Sequence, residues 1–119
     1  MYKLPKGINL GFFEQQELTD IGIGKYAVIL NFSSKVTLTI QSRFTSSAAE
    51  ESPSGEGEMP LSAKILLPFI GASIVETKGD EDGTLQLKFS NGESLFVYDD
   101  DPSYESYVIT KDGETIIVV

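Results

Sequence analysis

Apolar and polar residues alternate with a period of two along much of this chain. In TLQLKF, residues 84–89, Leu85, Leu87 and Phe89 alternate with Gln86 and Lys88, the mark of a strand with one buried face. Asn91-Gly92 follows, a strong hairpin signal. Side-chain parity selects the loop. A two-residue Asn-Gly turn would place Leu95 and Val97 beside Gln86 and Lys88. A three-residue loop, Ser90-Asn91-Gly92 with Gly92 left-handed, pairs Leu87 with Leu95 and Leu85 with Val97, gathering the apolar side chains on one face.

The opposite face of that hairpin carries Phe96 and Tyr98, too apolar to be fully wetted. The segment LSAKILLPFIG, residues 61–71, reads as a short apolar helix, kinked or ended by Pro68, that covers them. Residues 7–14 read as its shorter counterpart. ASIVET, SYESYVIT and ETIIVV read as further strands, with Lys111-Asp112-Gly113 turning the last pair.

A shift of 57 residues lays LNFSSKVTLTI (30–40) on LKFSNGESLFV (87–97), sharing L-x-F-S-x-x-x-[ST]-L-x-[IV]. Upstream, Gly22 meets Gly79, Phe12 meets Phe69 and Leu10 meets Leu67. This suggests an internal repeat, about residues 8–45 and 65–102, within a single domain of residues 1–119. Lys35 falls where Gly92 does, so the first turn is either strained or built differently. Between the copies, SSAAEESPSGEGEMP (46–60) reads as an acidic, flexible loop. The expected fold class is α+β: about eight strands in mostly antiparallel meanders from a duplicated hairpin-containing unit, with one or two short helices.

Composition narrows the chemistry. The chain has no cysteine and no histidine, so disulfides, thiolate metal sites and Ser-His-Asp or Cys-His catalysis within it are excluded. We expect no enzyme, no cofactor and no metal site; a carboxylate-based hydrolase is the remaining enzymatic alternative. No stretch of about 18 apolar residues occurs, and the N-terminus makes a poor signal peptide, so a cytoplasmic protein is expected.

The net charge of −9 is unevenly placed. Residues 1–46 hold five basic and three acidic groups, a balance of +2; residues 47–119 hold four and fifteen, a balance of −11. Such a surface repels phosphate backbones and anionic lipids, so neither nucleic acid nor membrane is an expected partner. A basic protein partner fits, and so does plain solubility.

Two acidic stretches resemble sites. Asp80-Glu81-Asp82-Gly83 fails the EF-hand pattern, with Lys78 and Phe89 at ligand positions, and reads as an acidic turn. Gly22-Ile23-Gly24-Lys25 lacks P-loop spacing. In YDDDPSYESY, Tyr98, Asp99, Asp100, Asp101, Tyr104, Glu105 and Tyr107 form the candidate partner-binding cluster, where tyrosines supply contact area and carboxylates a counter-charge. A solvated turn opened by Asp and fixed by Pro102 accounts for the same residues without a ligand.

ELTDIGIGKYAVILNFSSKVTLTI and LQLKFSNGESLFVYDDDPSYESYVI resemble the front and back halves of a group of small bacterial proteins without assigned function. The back half carries L-x-F-x-x-G-x-x-L-x-[IV]-x-x-[DN], then Y-E-[SA]-[YW], and the resemblance covers roughly residues 10–119. It implies a compact, β-rich, cytosolic domain. Some similar proteins are thought to be immunity partners of toxins. Two functions are therefore carried forward: a protein-binding domain, such as an immunity protein for a basic toxin, and a self-associating assembly module, with the chain a monomer or homodimer.

Overall fold

A computed structural model of the protein describes residues 10–47, 63–99 and 106–119. Among these residues nine strands form two antiparallel sheets: β1 (Leu18–Ile23), β2 (Val28–Phe32), β3 (Val36–Ile40), β4 (Phe44–Ser46), β5 (Ile74–Gly79), β6 (Leu85–Phe89), β7 (Ser94–Val97), β8 (Tyr107–Lys111) and β9 (Glu114–Val118). One sheet runs β1-β2-β3-β8-β9, the other β4-β7-β6-β5.

The fold is nearly all-β rather than the α+β expected. The described helical segments are two 3-10 stretches, Gly11–Phe13 and Ala63–Phe69. The second corrects the expected apolar helix. Its buried residues, Ala63, Leu66 and Phe69, recur every three positions, which aligns them on one face at three residues per turn. Pro68 within it cannot donate the amide hydrogen bond an α-helix requires. Nor does it cover Phe96 and Tyr98. The Phe69 ring lies 4.6 Å from Phe89, on the inward face. The outward Tyr98 ring is covered instead by the Arg43 guanidinium, 4.0 Å from its centroid.

Alternation decides which side of each strand is buried. Val28, Leu30 and Phe32, Val36, Leu38 and Ile40, and Leu85, Leu87 and Phe89 all point inward into one hydrophobic cluster fed by both sheets. Hairpin register follows the parity argument: Leu87 pairs with Leu95 and Leu85 with Val97, and Gly92 has φ +88°. The Gly92 amide donates to the Phe89 carbonyl at 3.0 Å, and the Asn91 side chain accepts from the Glu93 amide at 2.9 Å. In the first hairpin Lys35 takes the same left-handed conformation, φ +62°, so this turn is the strained version.

The two meanders match in register. Val28 pairs with Ile40 and Leu30 with Leu38; 57 residues later Leu85 pairs with Val97 and Leu87 with Leu95. Upstream of β2 the matching offset is 56, which corrects the uniform 57. Phe13 stacks edge-on against Phe32 as Phe69 packs on Phe89, and Leu10 and Leu66 are both buried. The turn over residues 80–84 is one residue longer than that over 24–27.

The halves meet at a bridge between Glu17 and Ser73. Around it the backbone bonds are reciprocal. The Gln15 amide donates to Ile74 and the Gly71 amide to Leu18; the Ile74 amide donates to Gln16 and the Leu18 amide to Ala72. Gln15 and Gly71 both have positive φ, +68° and +88°. Each half then gives a strand to the other's sheet: β4 pairs with β7, and β8 pairs with β3.

The sheet edges are blunted. β1 is irregular between Leu18 and Asp20, β5 between Ile74 and Glu76, and the β8–β9 ladder between Ile109 and Thr110, while β4 is only three residues long. Bulges and short edge strands disfavour strand addition from another molecule.

Candidate functional site

The exchange of strands explains where the tyrosine–aspartate stretch sits. Three residues, 41–43, join β3 to β4, whereas nine, 98–106, join β7 to β8. Asp100, Asp101, Tyr104 and Glu105 lie outside the described residues. Tyr98, Asp99 and Tyr107 are described, and they do not form one surface.

Asp99 is buried, 6% exposed. Its Oδ1 accepts from the Ser106 hydroxyl at 3.1 Å, closing the two ends of the long connection on each other. Its Oδ2 is buried with no hydrogen-bond partner. The carboxylate lies over Gly83, where a Cβ would come within 2.5 Å of Oδ2. Gly83 has φ +93° and ends the acidic turn, its amide donating to the Asp80 carbonyl at 3.0 Å while Asp82 accepts from the Thr84 amide at 2.9 Å.

Tyr107 is wholly buried, and its hydroxyl donates to the Gly83 carbonyl at 2.7 Å. Burial, and then the negative charges of Asp99 and Asp82, hold that hydroxyl well above the usual phenol range. Asp99 and Tyr107 are therefore internal fastenings between the long connection and the acidic turn. Tyr98 alone of the three is partly exposed. Its hydroxyl shares a 2.9 Å hydrogen bond with Thr45, and its carbonyl accepts from Ser42 at 2.7 Å. Asn91 and Gly92 sit at the opposite end of β7, where the Asn91 amide donates to the Pro68 carbonyl at 3.2 Å and ties the hairpin to the 3-10 segment. Among the described residues no group of three or more acidic side chains is placed to hold a metal ion. No helix among them is long and apolar enough to cross a membrane.

A different surface emerges from the strand pairings. On the outer face of the five-stranded sheet, register aligns Gly22, Ile29, Thr39, Val108 and Val118 in one row across all five strands. A second row runs Asp20, Asn31, Thr37, Thr110 and Thr115. Asp20 is the one ionisable residue in the two rows, and its carboxylate accepts from the Asn31 amide at 2.6 Å. Asn31 in turn accepts from the Thr37 hydroxyl at 3.3 Å. Ile29 is 38% exposed, whereas Ile23, 52% exposed at the end of β1, pairs with the buried Val28 and so belongs to the opposite face. A Cβ at Gly22 would meet the Ile29 Cβ at 3.6 Å, an ordinary contact. The equivalent rows of the four-stranded sheet run Lys78, Gln86, Phe96 and Thr45, and Glu76, Lys88 and Ser94, so they carry three ionisable side chains beside one aromatic.

Sequence reasoning missed this face. VTLTI and YVIT each show the alternation, but nothing local says that β3 and β8 are neighbours.

The chain belongs to the family of unknown function DUF6188, whose model matches residues 12–119. No curated protein matches it, and no solved structure does.

Proposed function

We propose that this is a non-enzymatic protein-binding domain working inside a bacterial cell. The supporting observation is the outer face of the five-stranded sheet. On a chain of net charge −9, two complete rows of this face are neutral and largely β-branched, with Asp20 alone ionisable at the margin. A solvated face of so acidic a protein has no need to exclude charge, whereas interface centres are depleted in charged residues. Immunity against a basic toxin is one form of this function, and the balance of −11 over residues 47–119 would steer such a partner. Burial of Asp99 and Tyr107 supports a contact on the sheet rather than on them.

The test is binding of the purified chain, and of its Ile29→Asp variant, to the protein encoded beside it. Binding weakened by the substitution supports the assignment. Binding indifferent to Ile29→Asp and Thr39→Asp rejects this face as its seat.

We further propose that the two halves arose by duplication, on the strength of the reciprocal bonds around Glu17 and Ser73. A relative consisting of one half that pairs with itself would support this. Halves whose family-wide sequences diverge at every matched position would argue against it.

A further inference from the structure

We propose that the outer face of the five-stranded sheet closes against the same face of a second copy of this chain, giving a reversible two-fold dimer. The inference rests on the protein-binding assignment and names the partner.

Charge is the first reason. Two copies at −9 each repel wherever acid meets acid. The rows from Gly22 to Val118 and from Asp20 to Thr115 let two copies meet with almost no ionised groups between them. The other sheet turns Glu76, Lys78 and Lys88 outward beside Phe96 and the Arg43-covered Tyr98, so ionised groups run across its face. The two meanders match in register, yet Ile29 and Asn31 stand where Gln86 and Lys88 stand in the second. The near-absence of charge is thus a property of one outer face and is not imposed by the shared framework.

Geometry is the second reason. Irregular pairing at β1, β5 and β9 and the shortness of β4 close the edge-to-edge route, leaving the face. Five strands spaced about 4.8 Å, with about five residues each at about 3.3 Å, give a footprint of roughly 24 Å by 17 Å, or about 400 Å². A standard interface buries roughly 800 Å² per partner, so this one belongs to the small, transient class and assembles reversibly.

The salt response has a defined sign. The distant acids repel through solvent over a screening length of about 8 Å at physiological ionic strength, and a neutral contact has no attraction for salt to weaken. Dimerisation therefore strengthens as salt is added.

The experiment is sedimentation velocity on the full chain from low micromolar to near-millimolar concentration, at low and high sodium chloride. The expected result is a monomer–dimer equilibrium favoured by high salt. Ile29→Asp or Thr39→Asp should weaken it by about tenfold or more, because each places carboxylates at a desolvated contact. Gln86→Asp on the other sheet should leave it unchanged, and circular dichroism confirms that each variant is folded. If Ile29→Asp fails to fold, Thr39→Lys is read instead. A strict monomer at every concentration and salt overturns the proposal. So does a dimer that the face variants leave intact, or one that dissolves in high salt. A monomer whose binding to a different protein is abolished by Ile29→Asp overturns the dimer alone and leaves the protein-binding assignment standing.

Discussion

The Tyr107 hydroxyl donates a 2.7 Å hydrogen bond to the Gly83 carbonyl, joining β8 to a turn 24 residues earlier. Both groups are shielded from water, so neither has a solvent substitute. Tyr107→Phe leaves the Gly83 carbonyl without its buried partner. We expect a loss of about 1–3 kcal/mol in urea unfolding, with the fold retained.

The same bond sets an alkaline limit. The Tyr107 hydroxyl is held above its unfolded value of 10.0 by burial and by Asp99 and Asp82. In the unfolded chain it ionises near that value while the folded chain keeps its proton. Its contribution is therefore complete below about pH 10 and is lost as pH rises further. Stability measured at intervals above pH 10 should fall, and the fall should be shallower in Tyr107→Phe.

Gly83 and Gly92 separate two kinds of glycine requirement. Both have positive φ, +93° and +88°. A Cβ at Gly92 meets open space, so Gly92→Ala should cost only the conformational term, about 1–2 kcal/mol. A Cβ at Gly83 meets Asp99 Oδ2 at 2.5 Å, so Gly83→Ala should cost distinctly more. Equal melting temperatures for the two variants would contradict this.

Lys35 holds the left-handed position that Gly92 fills in the second hairpin. Its carbonyl accepts from the Asp112 amide in the turn between β8 and β9 at 3.0 Å, and this backbone bond survives substitution. Lys35→Gly should therefore stabilise by roughly 1 kcal/mol, relief of strain exceeding the added unfolded-state entropy. Thermal melting reads this directly.

Leu38 is fully buried at the centre of β3, between Leu30 and Ile109. Leu38→Ala should lose about 2–5 kcal/mol by chemical denaturation, the range set by how far the two sheets relax around the gap.

What the sequence disclosed was local. Parity around Asn91-Gly92 gave the register of β6 on β7, because a one-residue slip would expose Leu95 and Val97. Alternation disclosed most strands, and the L-x-F-S match disclosed corresponding positions in the two meanders. What stayed hidden was non-local. Residues 61–71 read as a helix because their apolar content does not distinguish three residues per turn from 3.6. Asp99 reads as solvated because a lone carboxylate is seldom buried, and its cover, Gly83 and Ser106, comes from two other parts of the chain. The neutral face was invisible for the same reason: its rows exist only once β8 lies beside β3.

That exchange of strands also orders events in time. Ile40 waits for Tyr107, 67 positions later in the chain. At the usual pace of roughly 5–20 residues per second, the ribosome leaves the β3 flank unpaired for about 3–13 seconds. During that interval the nascent chain carries an open strand lined by Val36, Leu38 and Ile40. The completed fold blunts its edges, but the protein must first outlive one that is still bare.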